Sequence, residues 1–240
     1  MSMVFSDTTN RIGLIQSLED LTGTQDVSSY STEVKTKDIN LALDDYQNLV
    51  KEVSGTWQAD DSNHTKYPNM KFDLVSGQQD YSFTVDEQGN QVQDIYRVEC
   101  MGPDGKWRLL TPVDEMRYTD AISDIETQTG TPSEYWKTAN GIFLKSIPNY
   151  SQTLGIRMFY TRSPNYFDSS DTSKTPGIPN GHHKYLFFKP AYWYWLPIDS
   201  TKATLFQNEV FRIEAEIRKD ISNRNRDERL RLAVRVRNYE

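Results

Sequence analysis

Apolar residues recur with a helical period near both ends of this chain and with a period of two through its middle. Ile39, Ala42, Leu43, Tyr46, Leu49, Val50 and Val53 form one stripe of an α-helix, predicted over 37–53. Thr36 is placed to cap it, and Asp38 lies in the first turn, where a negative charge suits the helix dipole. A shorter amphipathic helix is expected at 11–21, with Leu14, Leu18 and Leu21 on one face and Gly23 as its stop. A polar linker, 24–35, separates the two.

The period changes at Met70. Phe72 and Leu74 alternate with polar residues, as do Tyr81, Phe83 and Val85 after the turn at Ser76–Gly77. Further strands are expected at Ile95–Met101, Trp107–Val113, Glu134–Thr138, Gly141–Ser146 and Thr153–Arg162. The run G-P-D-G-K at 102–106 is a turn, and Asn140–Gly141 suits a type I′ hairpin. Residues 114–126 are polar with a weak helical pattern. About six short strands joined by hairpins predict an antiparallel sandwich or barrel.

Helical character returns after a proline-containing loop at 163–181. His182–Trp195 holds seven aromatic residues, with Pro190 expected to kink the helix. These rings read either as core or as a platform that stacks sugars or bases. Phe206, Val210, Ile213, Ile217 and Ile221 mark a last helix over 202–224.

The expected fold class is therefore α+β. A helical bundle is built from 1–66 and 178–228, with a core including Leu43, Tyr46, Leu49, Val50, Phe206, Val210, Ile213 and Ile217. The β module at 67–177 is inserted into it. Residues 229–240 form an extended C-terminal arm.

In that arm Leu230, Leu232, Val234 and Val236 alternate with Arg229, Arg231, Arg235 and Arg237, ahead of Tyr239. A period of two puts the aliphatics on one face of a strand and the arginines on the other. A strand at a chain terminus needs an edge from elsewhere in the fold or from another chain. A frayed basic tail is the alternative.

Composition narrows the functional classes. The 240 residues carry a net charge of −7, which opposes non-specific binding to nucleic acid. Residues 218–240 nonetheless hold eight Lys or Arg against four acids. Cys100 is the single cysteine, so no internal disulfide or cysteine-rich zinc site is expected. No signal sequence and no apolar run of membrane-spanning length is found, which predicts a reducing, cytoplasm-like compartment.

Catalytic and metal signals are weak. His64 falls in a loop, and the side chains of the neighbours His182 and His183 diverge rather than converge on a metal. Asp168 and Asp171 lie in a loop. Asp44–Asp45, Asp60–Asp61 and Glu214–Glu216 read as solvated surface. The chain holds no nucleophile-elbow, phosphate-loop or dinucleotide-binding motif. No enzyme, cofactor or metal is expected.

With this layout the chain resembles the head-to-tail connector, or adaptor, proteins of tailed bacteriophages. The resemblance rests on the helix at Ile39–Val53, with its run D-I-N-L-A-L-D-D-Y-Q-N-L-V, leading into W-Q-A-D. It continues through F-D-L-V-S-G-Q-Q-D-Y-S-F at 72–83, G-T-P-S-E-Y-W at 130–136, I-F-L-K-S-I-P at 142–148, I-P-N-G-H-H-K-Y-L at 178–186 and the last helix. It implies a virion protein of the neck, made in the host cytoplasm. Copies would form a ring of about twelve beneath the portal protein and above a tail or neck protein. Genomic DNA would pass through without sequence-specific binding, and no membrane would be involved. The resemblance gives the arm a role, clasping the portal. The alternative is a tail-associated module that binds a saccharide or receptor through Trp107, Tyr135 and Trp136 of the β insertion.

Overall fold

The computed structural model describes residues 3–25, 28–54, 69–83, 85, 91–114, 127–138 and 140–224. Among these the chain is α+β, with four α-helices and ten strands. It divides into two compact units. One joins Met1–Trp57 to Tyr166–Glu240, and the other is Gln58–Asn165.

The first unit is helical. Helix α1 (Leu14–Thr22) starts three residues later than expected. Arg11 has a positive φ of 57° and its amide donates to the Asp7 carbonyl, which keeps the preceding segment in a turn. Gly13 allows the crossing: a Cβ there would lie 2.5 Å from the Asp7 amide nitrogen. Gly23 ends the helix in the left-handed conformation, as the sequence suggested.

Helix α2 (Thr32–Ser54) begins well before the expected start. The Lys35 amide donates to the Ser31 carbonyl, which places the helix entry at Ser31. Thr36 is thus not a cap. Its hydroxyl donates back to the Thr32 carbonyl within the helix. The polar stretch concealed this extra turn because its inward residue is Lys35, whose buried ammonium donates to Glu19 at 2.9 Å and to the Thr24 carbonyl.

Helix α3 (Tyr185–Trp195) follows a 3₁₀ turn at Asn180–His182 and contains Pro190. Helix α4 (Ser200–Arg224) is capped by Asp199, whose carboxylate accepts from the amides of Thr201 and Lys202. Helix α3 packs against α1, α2 and α4, and α2 also packs against α4.

The second unit contains β1 (Asn69–Leu74), β2 (Asp80–Ser82), β3 (Val92–Met101), β4 (Trp107–Leu109) and β5 (Thr111–Pro112). It continues with β6 (Thr129–Gly130), β7 (Glu134–Lys137), β8 (Gly141–Lys145), β9 (Ile147–Pro148) and β10 (Gln152–Arg162). One antiparallel sheet has the order β1-β10-β3-β4, a second β2-β8-β7-β5, and β6 pairs with β9. Neither four-stranded sheet closes on itself among the described residues. One buried cluster draws Met70, Val98, Ile156 and Met158 from the first sheet and Tyr81, Tyr135, Ile142 and Leu144 from the second.

Three expectations are corrected here. First, pairing is less local than a run of hairpins: β1 pairs with β10 across the whole unit, and the β5·β7 and β6·β9 pairs are parallel. Turn signals specify only neighbours, so they reveal the β3–β4 and β7–β8 hairpins and no more.

Second, Asn140–Gly141 is not a type I′ turn, because Gly141 lacks a positive φ and opens β8. Glycine is required there by close approach, since a Cβ would sit 2.7 Å from the Tyr81 carbonyl oxygen.

Third, residues 166–177, expected in the β module, bond to the helical unit. Phe167 stacks on Phe5 at 4.5 Å, and its amide and carbonyl are both held by the Asn40 side chain at 2.9 Å. The Phe5 amide donates to the Lys174 carbonyl.

Candidate functional site

The residues expected in the helical core occupy the inner faces of α2 and α4. Leu43, Tyr46, Val50, Ile213 and Ile217 are inaccessible to solvent, and Leu49 and Val210 are nearly so. Phe206 differs: it is half-buried, with its ring 6.1 Å from that of Phe188. Ala203, one turn earlier, takes the buried place, because the inward stripe of α4 runs 203, 210, 213, 217, 221.

The aromatic stretch is only in part core. Tyr185 is buried, whereas Phe187, Phe188, Tyr192, Trp193, Tyr194 and Trp195 are half-buried. A helix exposes part of its circumference, so seven consecutive-turn aromatics cannot all face inward. Many of their faces carry partners: Lys202 lies 3.9 Å from the Trp195 ring centre, Lys189 5.9 Å from Trp193, and Tyr30 packs on Tyr194 at 4.9 Å.

The geometry nearest to a catalytic relay is Tyr46–His182–Asp220. The Tyr46 hydroxyl lies 2.8 Å from His182 Nδ1, and His182 Nε2 lies 3.3 Å from Asp220. Tyr46 is wholly buried, so its hydroxyl cannot reach a substrate. The relay ties α2, the 3₁₀ turn and α4 together. His183 points elsewhere, to the Ile178 carbonyl and the Met3 amide. Among the described residues no cluster of three potential metal ligands occurs, and no helix is long and apolar enough to cross a membrane.

Among the described residues, several surfaces combine charge with exposed apolar groups, and two of them have a defined geometry. The first is the outer face of the β1-β10-β3-β4 sheet. Register places Lys71, Arg157, Glu99 and Leu109 in one row across all four strands. Glu99 is buried, although it lies on the face opposite the core residues Val98 and Cys100. It accepts hydrogen bonds from Arg97 and, twice, from Arg157. Burial alone would raise its pKa, but the bonds and charges of Arg157 and Arg97 outweigh it and hold the carboxyl below 4.5.

The Arg157 guanidinium lies 4.3 Å from the Trp107 ring centre and 5.3 Å from that of Phe159, and Arg97 lies 5.9 Å from Phe159. Two cations are thus fixed between aromatic walls by one carboxylate. The alternation of Arg97 and Glu99 hints at this face. The partners Arg157 and Trp107 come from strands whose pairing the sequence does not reveal.

The second surface is a groove of about 460 Å³ along the outer side of α2, in the helical unit. Glu33, Lys37, Leu41 and Asp44 line it from the helix, and Tyr166 and Asp168 from the loop after β10. The Tyr166 hydroxyl donates to Asp44 at 2.6 Å; partial burial first, and then this bond and the Asp44 charge, raise the tyrosine pKa. Three acids face one lysine, and Leu41 is 45% and Tyr166 42% exposed.

The remaining predicted positions divide clearly. Tyr135 and Trp136 are buried, with Trp136 stacked on Phe143 at 4.4 Å, so neither can serve as a stacking platform. Only Trp107 of that trio reaches the surface. The arm, with Arg229, Leu230, Arg231, Leu232, Val234, Arg235, Val236, Arg237 and Tyr239, lies outside the described residues, as does His64. The sequence matches no protein-family model and no curated protein.

Proposed function

We propose that this protein is a structural subunit of a head-to-tail adaptor ring, docked beneath a portal and surrounding a DNA channel. The observation that carries the reading is the layout. Segments from both ends of the chain meet in one helical unit, and the intervening residues form a separate β unit.

In this reading the four helices act as a bundle that builds the ring wall. In the same reading the β unit is a sandwich, a reading supported by the buried cluster that both sheets share. The arm at 229–240 adds as an edge strand to the portal, burying Leu230, Leu232, Val234 and Val236 and setting its arginines against polar rims. A net charge of −7 suits a channel through which DNA must pass without sticking.

Co-assembly with purified portal rings tests the reading, using the full chain and a truncation ending at Arg226. Mass photometry and electron microscopy are expected to show an added ring with the full chain alone. Equal docking by both proteins would leave the ring and remove the arm's role. Docking by neither would overturn the reading.

A further inference from the structure

The two charged surfaces described above differ in sign and share an apolar component. The sheet face presents Lys71, Arg97 and Arg157 against Glu99, which is buried beneath them, and Asp73, whose carboxylate is taken by the Leu154 amide. Leu109, in the same row, is 58% exposed beside the half-buried Trp107. The α2 groove is lined by Glu33, Asp44 and Asp168 against Lys37, with the Lys174 ammonium on the Tyr166 carbonyl at its edge and Leu41 and Tyr166 exposed. One surface is a cationic, aromatic island on an acidic protein. The other is a mainly acidic cleft with exposed apolar groups.

We propose that these surfaces are each other's partners between copies: the sheet face of one subunit seats in the α2 groove of the next. The inference rests on the ring reading and names the contact that would close the ring. Two different, mutually complementary patches on one chain give a head-to-tail contact, the kind that builds rings when the rotation closes.

The sheet face is suited to this use because its guanidiniums are held rigid before docking. Arg157 is clamped by Glu99 and walled by Trp107 and Phe159, so little side-chain freedom remains to be lost on association. Arginine and tryptophan are also the side chains that most often dominate interface energetics. In the groove, Asn40 anchors the loop backbone at Phe167 and the Tyr166–Asp44 bond fixes the rim. Leu109 and Leu41 then meet as the apolar centre, with charges paired around them.

Two full-length variants test this, Leu109→Glu on the cationic sheet face and Leu41→Lys in the acidic groove, each of which sets like charge against the proposed partner. Both positions are exposed, so neither change enters a core, and matching melting curves would verify folding. Sedimentation velocity with and without portal rings would follow assembly. Each variant alone is expected to assemble about tenfold more weakly or worse.

Mixed one to one, the variants are expected to give dimers that grow no further. The intact sheet face of Leu41→Lys finds the intact groove of Leu109→Glu, and both outer surfaces of that pair are spoiled. Assembly of either variant like the unaltered chain would overturn the pairing while leaving the ring. So would a mixture that stays monomeric where the unaltered chain assembles. If the unaltered chain fails to assemble even with portal rings, the ring reading itself falls and takes this pairing with it.

Discussion

The Tyr46 hydroxyl meets His182 Nδ1 at 2.8 Å across 136 residues of sequence, inside the helical unit. Tyr46 belongs to α2 and His182 to the turn before α3, so this bond joins the two chain ends that the unit brings together. Tyr46→Phe keeps the ring and removes the hydroxyl. A buried hydrogen bond contributes about 1 kcal/mol, rising to about 3 kcal/mol where a buried group loses its partner. Urea unfolding at neutral pH is expected to show a loss within that range, with an unchanged m-value.

Glu99 makes the β unit sensitive to acid. Its folded pKa lies below the ordinary value of 4.5, because Arg157 and Arg97 outweigh the effect of burial. A carboxyl with a depressed pKa stabilises the fold fully above its unfolded value, and that stability is lost as pH falls through the folded value. The melting temperature should therefore fall as pH drops below about 4.5. Glu99→Gln should lower stability at pH 7 by about 2 kcal/mol, less than for a fully buried pair because Arg97 is exposed. Melting curves from pH 3 to 7 would show a shallower acid dependence in the variant.

Burial separates two residues that the sequence pattern placed on one stripe of α4. Ile213→Ala empties a site closed to solvent and should cost about 2–4 kcal/mol. Phe206→Ala, at a half-buried position, should cost about half as much despite removing a larger side chain. Denaturant midpoints would rank them, and an equal or reversed order would contradict the packing of α4.

Cys100 is buried in β3, and burial raises its thiol pKa. Both features keep the reactive thiolate scarce and shielded. A chromogenic disulfide reagent at pH 8 should leave the native protein unlabelled over minutes and react at once in denaturant. Rapid native labelling would show that β3 opens.

Lys35 and Glu19 form a pair that the helical period conceals. Lys35→Met alone should cost about 2 kcal/mol, because it leaves a shielded carboxylate with the longer Arg11 contact at 3.7 Å in place of a buried ammonium at 2.9 Å. Adding Glu19→Leu should restore most of that loss, since well-packed apolar groups often replace a buried ion pair at little cost. Thermal unfolding of the single and double variants would measure the coupling.

Elements with a strong period were legible in the sequence alone. The stripe from Ile39 to Val53 specified α2, and the run from Val210 to Ile221 specified α4, because 3.6-residue spacing leaves a helix little choice of buried face. Alternation at Phe72–Leu74 and Ile95–Met101, with the turn at 102–106, likewise marked strands and one hairpin. Local signals end there. The first turn of α2 was hidden because its inward residue is a lysine, made compatible with burial only by Glu19 sixteen positions away.

Tertiary structure alone decided the pairing of β1 with β10 and the docking of 166–177 on Phe5 and Asn40. It also assembled the Arg97–Glu99–Arg157–Trp107 layer and the α2 groove. Each joins residues distant in sequence whose individual periods are unremarkable, so the contact has no local signature. Periodicity tells a segment which face to bury. Which other segment covers that face depends on the free energy of the whole packed arrangement.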